Sequence, residues 1–419
     1  MAKMLNFAND IDAENPQPDI ERLRGLGPVV AMKMPLIGKI HVTTTYEAAT
    51  SLLTERDRFV SEPKNAGKSG SPVPFPLPPS IRYMLDGFIQ KDEPDHRRLR
   101  GYVDKAFAKR SVSDLSEACN QFSAELTDAM KARARRDGAV DYIDAFSAVM
   151  PMRAISVLLG FPEDMQTRFL EWMKPLRQIE TTPWGIFRML GGIGKASKGI
   201  EAWSASLVNS DAEGLIAELV NLQEGDDRLS QNELKAIVFT LIIAGGETTT
   251  HLLNGALWYL LKHPEMKEHL RSNPGDIPGF VEEMLRWFCP LTTTKPRLAA
   301  YDQEFHGMSL RAGDRLLPSL LAANTDAAVF PDPWRFDLHR TNAQHHLAFG
   351  SGIHNCLGRP LVRIEAQAAL EVLLDRWPDF QADEPSSASG GTDRSSEPWY
   401  VFKNTIGRRN FKWLRMRAA

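Results

Sequence analysis

Between His346 and Pro360 the chain reads HLAFGSGIHNCLGRP, and Cys356 stands there as a lone thiol in a glycine-rich turn just ahead of a helical pattern. A thiolate is a soft, strongly donating metal ligand, and one bound to a haem iron favours cleaving dioxygen over carrying it. Gly350 and Gly352 permit backbone angles that would bring the turn close beneath a flat macrocycle. Past Gly358, Leu361, Ile364, Ala368, Leu370 and Leu373 supply the apolar face of a helix. Its N-terminal amides would stabilise a thiolate and moderate its donation, and Phe349 would shield the sulfur from solvent.

A second segment that could do chemistry is AIVFTLIIAGGETTTHLLNGALWYLL. Ser230 and Glu233 have the spacing of a capping box and predict a helix from Asn232 to His263. It is apolar on nearly every face until Glu247, a carboxylate that is costly in such a setting unless something pairs or uses it. Gly245 and Gly246 each cost about 1 kcal/mol of helix propensity relative to alanine. They would leave room for a bound group against the backbone, or serve simply as a packing pair. Thr248 and Thr249 can bond to the preceding turn and open the ladder where water or dioxygen could sit.

The rest of the chain has to position these two segments. Its 419 residues, 43% hydrophobic and 25% charged, can bury a large core. Helical patterns dominate. The cysteines Cys119, Cys289 and Cys356 form no CxxC pair, which argues against a disulfide scaffold or a multi-thiolate metal site, and the first two read as buried apolar residues. A net charge of -3 gives no basic field for nucleic acid, and no uncharged apolar run approaches the roughly 18 residues of a membrane span. MAKMLNFANDIDAENPQPD has acids where a signal peptide needs its apolar core, so the expectation is a cytoplasmic protein without a membrane anchor. Residues 61 to 80 carry Pro72, Pro74, Pro76, Pro78 and Pro79, which break helix and strand alike, and the apolar Val73, Phe75 and Leu77 favour a loop folded over a site. Residues 386 to 399 read as a polar surface turn before terminal strands.

With these residues in place, the chain resembles a cytochrome P450 of the soluble bacterial type. The family's haem signature is met at Phe349, Gly350, Gly352, His354, Cys356 and Gly358, and its central-helix pattern at Ala244, Gly245, Gly246, Glu247 and Thr248. The Glu-x-x-Arg motif is met at Glu283 and Arg286, and the later arginine that completes that network is expected at Arg335. The resemblance implies a mainly α fold with small β-sheets, a single haem domain over residues 1–419, and an irregular extension over 1–19. It places haem b between the long central helix and the cysteine loop, with Cys356 as iron ligand and Phe349, Gly350 and Gly358 around it. His96, Arg100, Arg297 and His354 are the expected propionate contacts. Glu247 would deliver protons and Thr248 would hold oxygen and water, whereas Glu283, Arg286 and Arg335 would hold the fold.

The activity so implied is a monooxygenase that inserts one atom of O2 into a hydrophobic small molecule. Ile243, Ala244, Leu291, Thr292, Thr293, Phe75 and Leu77 are the candidate pocket walls, and the Trp-, Met- and Phe-rich stretch from Phe169 to Ile200 suits a cover. Electrons are expected from NADH or NADPH through a ferredoxin reductase and a ferredoxin, docking on Arg98, Lys105, Lys109, Arg110 and Arg359, with the enzyme itself a monomer. A P450-fold oxidase, peroxygenase or isomerase would use the same haem site differently. A haem sensor or carrier would have no use for the Glu247 and Thr248 pair.

Overall fold

The computed structural model describes residues 5–7, 10–35, 37–70, 79–108, 112–162, 165, 166, 168, 183–207, 214–221, 228–384 and 397–419. Phe75, Leu77, Lys109, Arg110 and residues 169–182 lie outside them. The fold is mainly helical with small sheets. The chain clusters into two compact units, one of residues 1–70, 119–148 and 248–419, the other of 71–118 and 149–247.

The second unit is built from helices. Leu215–Asn221 is buried at five of its seven positions and packs against Asp95–Ala108, Met150–Leu159 and Pro183–Ser206. The Met150–Leu159 helix ends at Gly160, whose φ of 82° lets the chain leave in a left-handed turn. In this unit the long helix Gln231–Lys262 begins as its sequence predicts: Ser230 N donates to Glu233 Oε2 at 2.8 Å and Glu233 N to Ser230 Oγ at 3.2 Å. The helix runs through Thr248 and Thr249 to Lys262. It is long and apolar enough to cross a membrane, with a mean hydropathy of 1.4 over its best window. That window is 61% buried inside the protein, as a core helix is.

The first unit carries the sheets. Strands β1 (Val29–Met34), β2 (Gly38–Thr43), β3 (Phe59–Val60), β5 (Arg297–Ala299) and β8 (Arg315–Leu317) form one sheet in the order β1-β2-β8-β5-β3. The β2–β8 pair is parallel, with His41 opposite Leu316, and the other pairs are antiparallel. Between them in sequence, β4 (Val140–Asp141) joins β9 (Phe380–Ala382), β10 (Tyr400–Thr405) and β11 (Arg408–Ala418) in a second sheet. The remaining strands, β6 (Gln303–Phe305) and β7 (Met308–Leu310), pair with each other. The described N-terminal residues before Gln17 form no helix or strand. A helix starts at Gln17, and Arg409 Nε and Nη2 donate to the carbonyls of Ala13 and Glu14 at 2.7 and 3.1 Å.

Helix Ile277–Trp287 supplies the organising cluster of this unit. Arg286 donates from Nε and Nη2 to both oxygens of Glu283 at 2.7 Å, and neither side chain is exposed. The third partner corrects the expectation of Arg335. That side chain is exposed, and only its carbonyl takes part, accepting from Arg286 and from Arg340 at 3.3 and 3.1 Å. The guanidinium that meets Glu283 belongs to Arg340, with Nε 3.1 Å from Oε1 and Nη1 donating to Pro331 O at 2.7 Å. The turns through 331–340 bring Arg340 back over Glu283, whose Oε1 also accepts from Asp337 N at 3.0 Å. Breaking a buried charge pair from one side leaves the other uncompensated, so Arg340→Met is expected to lower unfolding free energy by about 3 kcal/mol. Arg335→Ala, which keeps the carbonyl, should stay within about 0.5 kcal/mol of the parent. Urea midpoints of the two variants decide between the arginines.

Candidate active site

The cysteine loop is attached to that cluster by a short relay. Arg286 Nη1 donates to Asn324 O at 2.9 Å, and Asn324 Oδ1 accepts from Leu347 N at 2.6 Å, two residues before Phe349. A second tie runs beneath the loop. Arg363 of helix Arg359–Arg376 grips Glu282 with Nε and Nη2 at 2.5 and 3.0 Å, and His346 Nε2 lies 3.5 Å from the same carboxylate. The Arg363 guanidinium sits 4.8 Å over the Phe349 ring, whose other neighbour is the His346 ring at 5.4 Å. Phe349 is thus clamped between two cationic or titratable groups that Glu282 holds in place.

The loop itself closes on a backbone bond, Cys356 N to Phe349 O at 2.9 Å. Gly350 and Gly352 have φ of 66° and 70°, so the turn needs glycine on conformational grounds. At Gly352 a methyl group would also fall onto the Leu53 carbonyl oxygen of helix Tyr46–Thr54. Residues 348–358 are all half-buried and Cys356 forms no disulfide, so the loop presents an accessible face in an otherwise packed region. Helix Arg359–Arg376 starts directly behind the sulfur, with Gly358 at its cap and Val362 N bonding to Gly358 O at 3.0 Å.

The sequence-derived contact residues fall into two groups. In the first unit Arg297 is 5% exposed, opens β5 and donates from Nη1 to Ser61 Oγ, and His354 Nε2 lies 3.5 Å from the same hydroxyl. Ser61 was invisible to motif reasoning; it follows strand β3, which pairs with β5 and so brings it to Arg297. In the second unit His96 and Arg100 project from Asp95–Ala108 onto Phe88, with ring and guanidinium 6.3 and 5.8 Å from its centroid. His96 is buried with Nδ1 3.8 Å from Glu93, whereas Arg100 Nε donates to Asp104 at 2.9 Å. A thiol with an accessible face and a buried guanidinium near an imidazole of the same loop are the donor set that haem iron and a haem carboxylate require. The residues therefore fit the group.

Along the long helix, Ala244 is exposed and Ile243, Glu247 and Thr248 are half-buried, whereas Leu241, Ile242, Gly246, Thr249 and Thr250 are buried. Ala244, Glu247 and Thr248 lie three and four residues apart and share that accessible face. The glycine pair packs against a neighbouring helix, the second of the two readings its sequence allowed. A methyl on Gly246 would collide with Met152 Sδ, and one on Gly245 would lie 3.1 Å from Ile155 Cδ1, so the pair lets helix Met150–Leu159 approach closely. Leu291, Thr292 and Thr293 are half-buried on a segment fixed by backbone bonds: Thr292 N to Gly407 O at 3.0 Å and Leu320 N to Thr292 O at 2.8 Å. The β10–β11 turn at Ile406, which is 42% exposed, lies beside it and carries no motif that could have marked it. Of the expected docking residues, Lys105 and Arg359 are exposed, and Arg98 is engaged by Glu233.

Residues 193–274 and 277–385 match the family model described as Cytochrome P450. The chain is 34% identical to the mycinamicin IV hydroxylase/epoxidase of Micromonospora griseorubida over 367 residues, covering 86% of this chain and 87% of that one. It is 32% identical to the cytochrome P450 monooxygenase PikC of Streptomyces venezuelae over 372 residues, 88% and 86% of the two chains. Among solved structures, a MycG variant in complex with mycinamicin IV superposes with a TM-score of 0.83 at 30% identity, over 99% of this chain and 100% of that one. The chain belongs to the cytochrome P450 family.

The clamp beneath the loop has a definite pH signature. Burial pushes the Glu282 carboxyl up, but His346 and Arg363 overcome burial and hold it down at about 2. A depressed carboxyl stabilises the folded state above its unfolded pKa of about 4.3. That contribution should fade as pH falls toward about 2. Glu282→Gln is expected to be less stable than the parent at neutral pH, with the difference shrinking through that acid window in thermal melts. Gly352→Ala should cost more than about 1 kcal/mol, because alanine is strained at this φ, and should lower haem content per purified chain.

Proposed function

We propose that this protein is a haem-thiolate monooxygenase that inserts one atom of O2 into a hydrophobic small molecule, usually as a hydroxylation. The observation that carries the reading is the half-buried Cys356 thiol on a loop fixed by two left-handed glycines, in a chain with a half-buried acid and alcohol side by side on its long helix. Haem b, when bound through Cys356, supplies the reductive activation of dioxygen and the oxidation of a C–H or C=C bond.

The other steps fall to this chain's own residues. Gly358 and the N-terminus of helix Arg359–Arg376 keep the sulfur anionic and temper its donation. Arg297, Ser61 and His354 bind a haem carboxylate from the first unit, and His96 and Arg100 are assigned the same task from the second. Glu247 passes protons from bulk water, and the Thr248 hydroxyl orders the water that receives them. Glu283, Arg286 and Arg340 hold the cysteine loop in register. Leu291, Thr292 and Thr293 of the first unit, and Ile243 and Ala244 of the second, are the residues assigned to substrate selection.

The two curated relatives act, by their names, as a mycinamicin hydroxylase/epoxidase and a monooxygenase, which favours a bulky hydrophobic natural product as substrate here. Epoxidation of an alkene would use the same residues. Electrons come from NADH or NADPH through a ferredoxin reductase and a ferredoxin, for which the exposed Lys105 and Arg359 supply positive charge. The protein works as a cytoplasmic monomer.

The test is turnover of a panel of macrocyclic and terpenoid compounds with a ferredoxin, its reductase and NADPH under oxygen-18 gas. The expected product carries one labelled oxygen atom; label-free product, or product formed without reductant, would contradict the proposal. Glu247→Gln is expected to slow product formation by about 10²-fold or more, the usual contribution of a positioned proton donor. Thr248→Val should keep consuming NADPH while releasing hydrogen peroxide instead of product, read by a peroxide assay.

A further inference from the structure

One buried thiol of the first unit takes no part in the roles above. Cys289 is fully buried, two residues past the end of helix Ile277–Trp287, and its φ of 50° is left-handed. Glycine is the ordinary residue at such a helix exit, and any side chain there is strained. That cost has to be offset by what the side chain does.

The sulfur is used twice. Cys289 Sγ donates to Leu291 O at 3.1 Å and accepts from Asn324 Nδ2 at 3.4 Å. A thiol does both only while it keeps its proton. Burial pushes this one up to about 12, against the opposing pull of Arg409, Asn324 and Arg286, so the proton stays on at neutral pH.

Each bond leads to a different part of the site. Leu291 opens the segment 291–293 assigned to substrate selection. Arg409 N bonds to Pro290 O and Thr292 N to Gly407 O, both at 3.0 Å, which ties the segment to the β10–β11 turn. In such an antiparallel bridge the carbonyl between the two bonds points away from its partner, and here the sulfur takes it. The second bond leads to the cysteine loop. With its one proton given to Leu291, the sulfur offers Asn324 only lone pairs, so the amide must present Nδ2 to it. Oδ1 is thereby turned to Leu347 N, from which it accepts at 2.6 Å. Leu347 also shares an apolar cluster with Cys289 and with Leu53, whose carbonyl lies against Gly352 of the loop.

We propose that the Cys289 thiol is a positioning residue that sets the 291–293 segment and, by orienting the Asn324 amide, the Cys356 loop from one shared point. This rests on the monooxygenase reading, in which the segment borders the substrate and the loop carries the iron.

The experiment compares the full-length, haem-loaded parent with Cys289→Ala, Cys289→Gly, Cys289→Ser and Asn324→Ala, at a temperature where circular dichroism shows them folded. One readout is the ratio of the dissociation constants of 4-phenylimidazole and imidazole for the ferric protein, since the phenyl ring adds a reporter of the pocket wall to a common iron ligand. The other is the rate at which the reduced carbon monoxide complex loses its thiolate-type Soret band, which reports the loop. Cys289→Ala and Cys289→Gly should each raise the ratio and speed the loss by about fivefold, the ordinary worth of a hydrogen bond. Cys289→Ser, whose hydroxyl donates and accepts in the same way, should recover most of both. Asn324→Ala should speed the loss but keep the parent's ratio, and adding Cys289→Ala to it should speed the loss no further.

Glycine is unstrained at this φ, so Cys289→Gly carries the test if Cys289→Ala fails to fold. A parent-like Cys289→Gly would assign any effect of Cys289→Ala to the backbone and overturn the proposal. Lowered melting temperatures with both readouts unmoved would reduce Cys289 to packing and overturn it equally, and movement of one readout alone would overturn the shared point. A parent that carries haem without the thiolate-type band would instead overturn the underlying reading.

Discussion

A single buried carboxylate, Glu283, bears most of the constraint in the unit that holds the cysteine loop. Such a charge is expensive to remove from water, and it is tolerable here because two guanidiniums and a backbone amide converge on it. The geometry is demanding: the Arg286 fork is bidentate, and its remaining nitrogen reaches two carbonyls of distant segments. Any drift of the 331–340 turns would uncover charge with no water to receive it. The cluster therefore acts as a lock on the register of helix Ile277–Trp287, helix Leu320–Asn324 and the chain that leads to the cysteine.

From that lock the order spreads to the chemistry by short steps. Asn324 relays it to Leu347, and the Glu282 carboxylate, next in sequence to Glu283, relays it through Arg363 and His346 to Phe349. The loop between has two left-handed glycines and one closing backbone bond, which leaves few ways to place the sulfur. A metal ligand that must be both exposed on one side and fixed to a fraction of an ångström needs this arrangement, since a single cysteine on a free loop would find many positions. The consequence for function is that haem retention and fold stability should be coupled in this unit.

How much of this was legible in the sequence depends on the range of the interaction. The Cys356 loop, the capping box at Ser230 and the pair Glu283 and Arg286 are local patterns, and spacing alone brings their members together. Arg340 was not legible, because its place over Glu283 is set by irregular turns through 331–340 that no periodicity encodes; Arg335 fitted a motif but contributes only a carbonyl. Gly245 and Gly246 were legible as room for a bound group or as a packing pair, and only the structure names the neighbours they admit, Met152 and Ile155 on another helix. Ser61 and the Ile406 turn owe their positions to β pairing between segments more than a hundred residues apart.

The central claim is that Cys356 binds haem iron as a thiolate. It is tested most directly by the carbon monoxide difference spectrum of the dithionite-reduced protein. A strongly red-shifted Soret band of the thiolate-ligated type is the predicted result. A stable, haem-loaded protein that lacks this band would contradict the account at its root, because every role assigned around the loop presumes that sulfur on the iron.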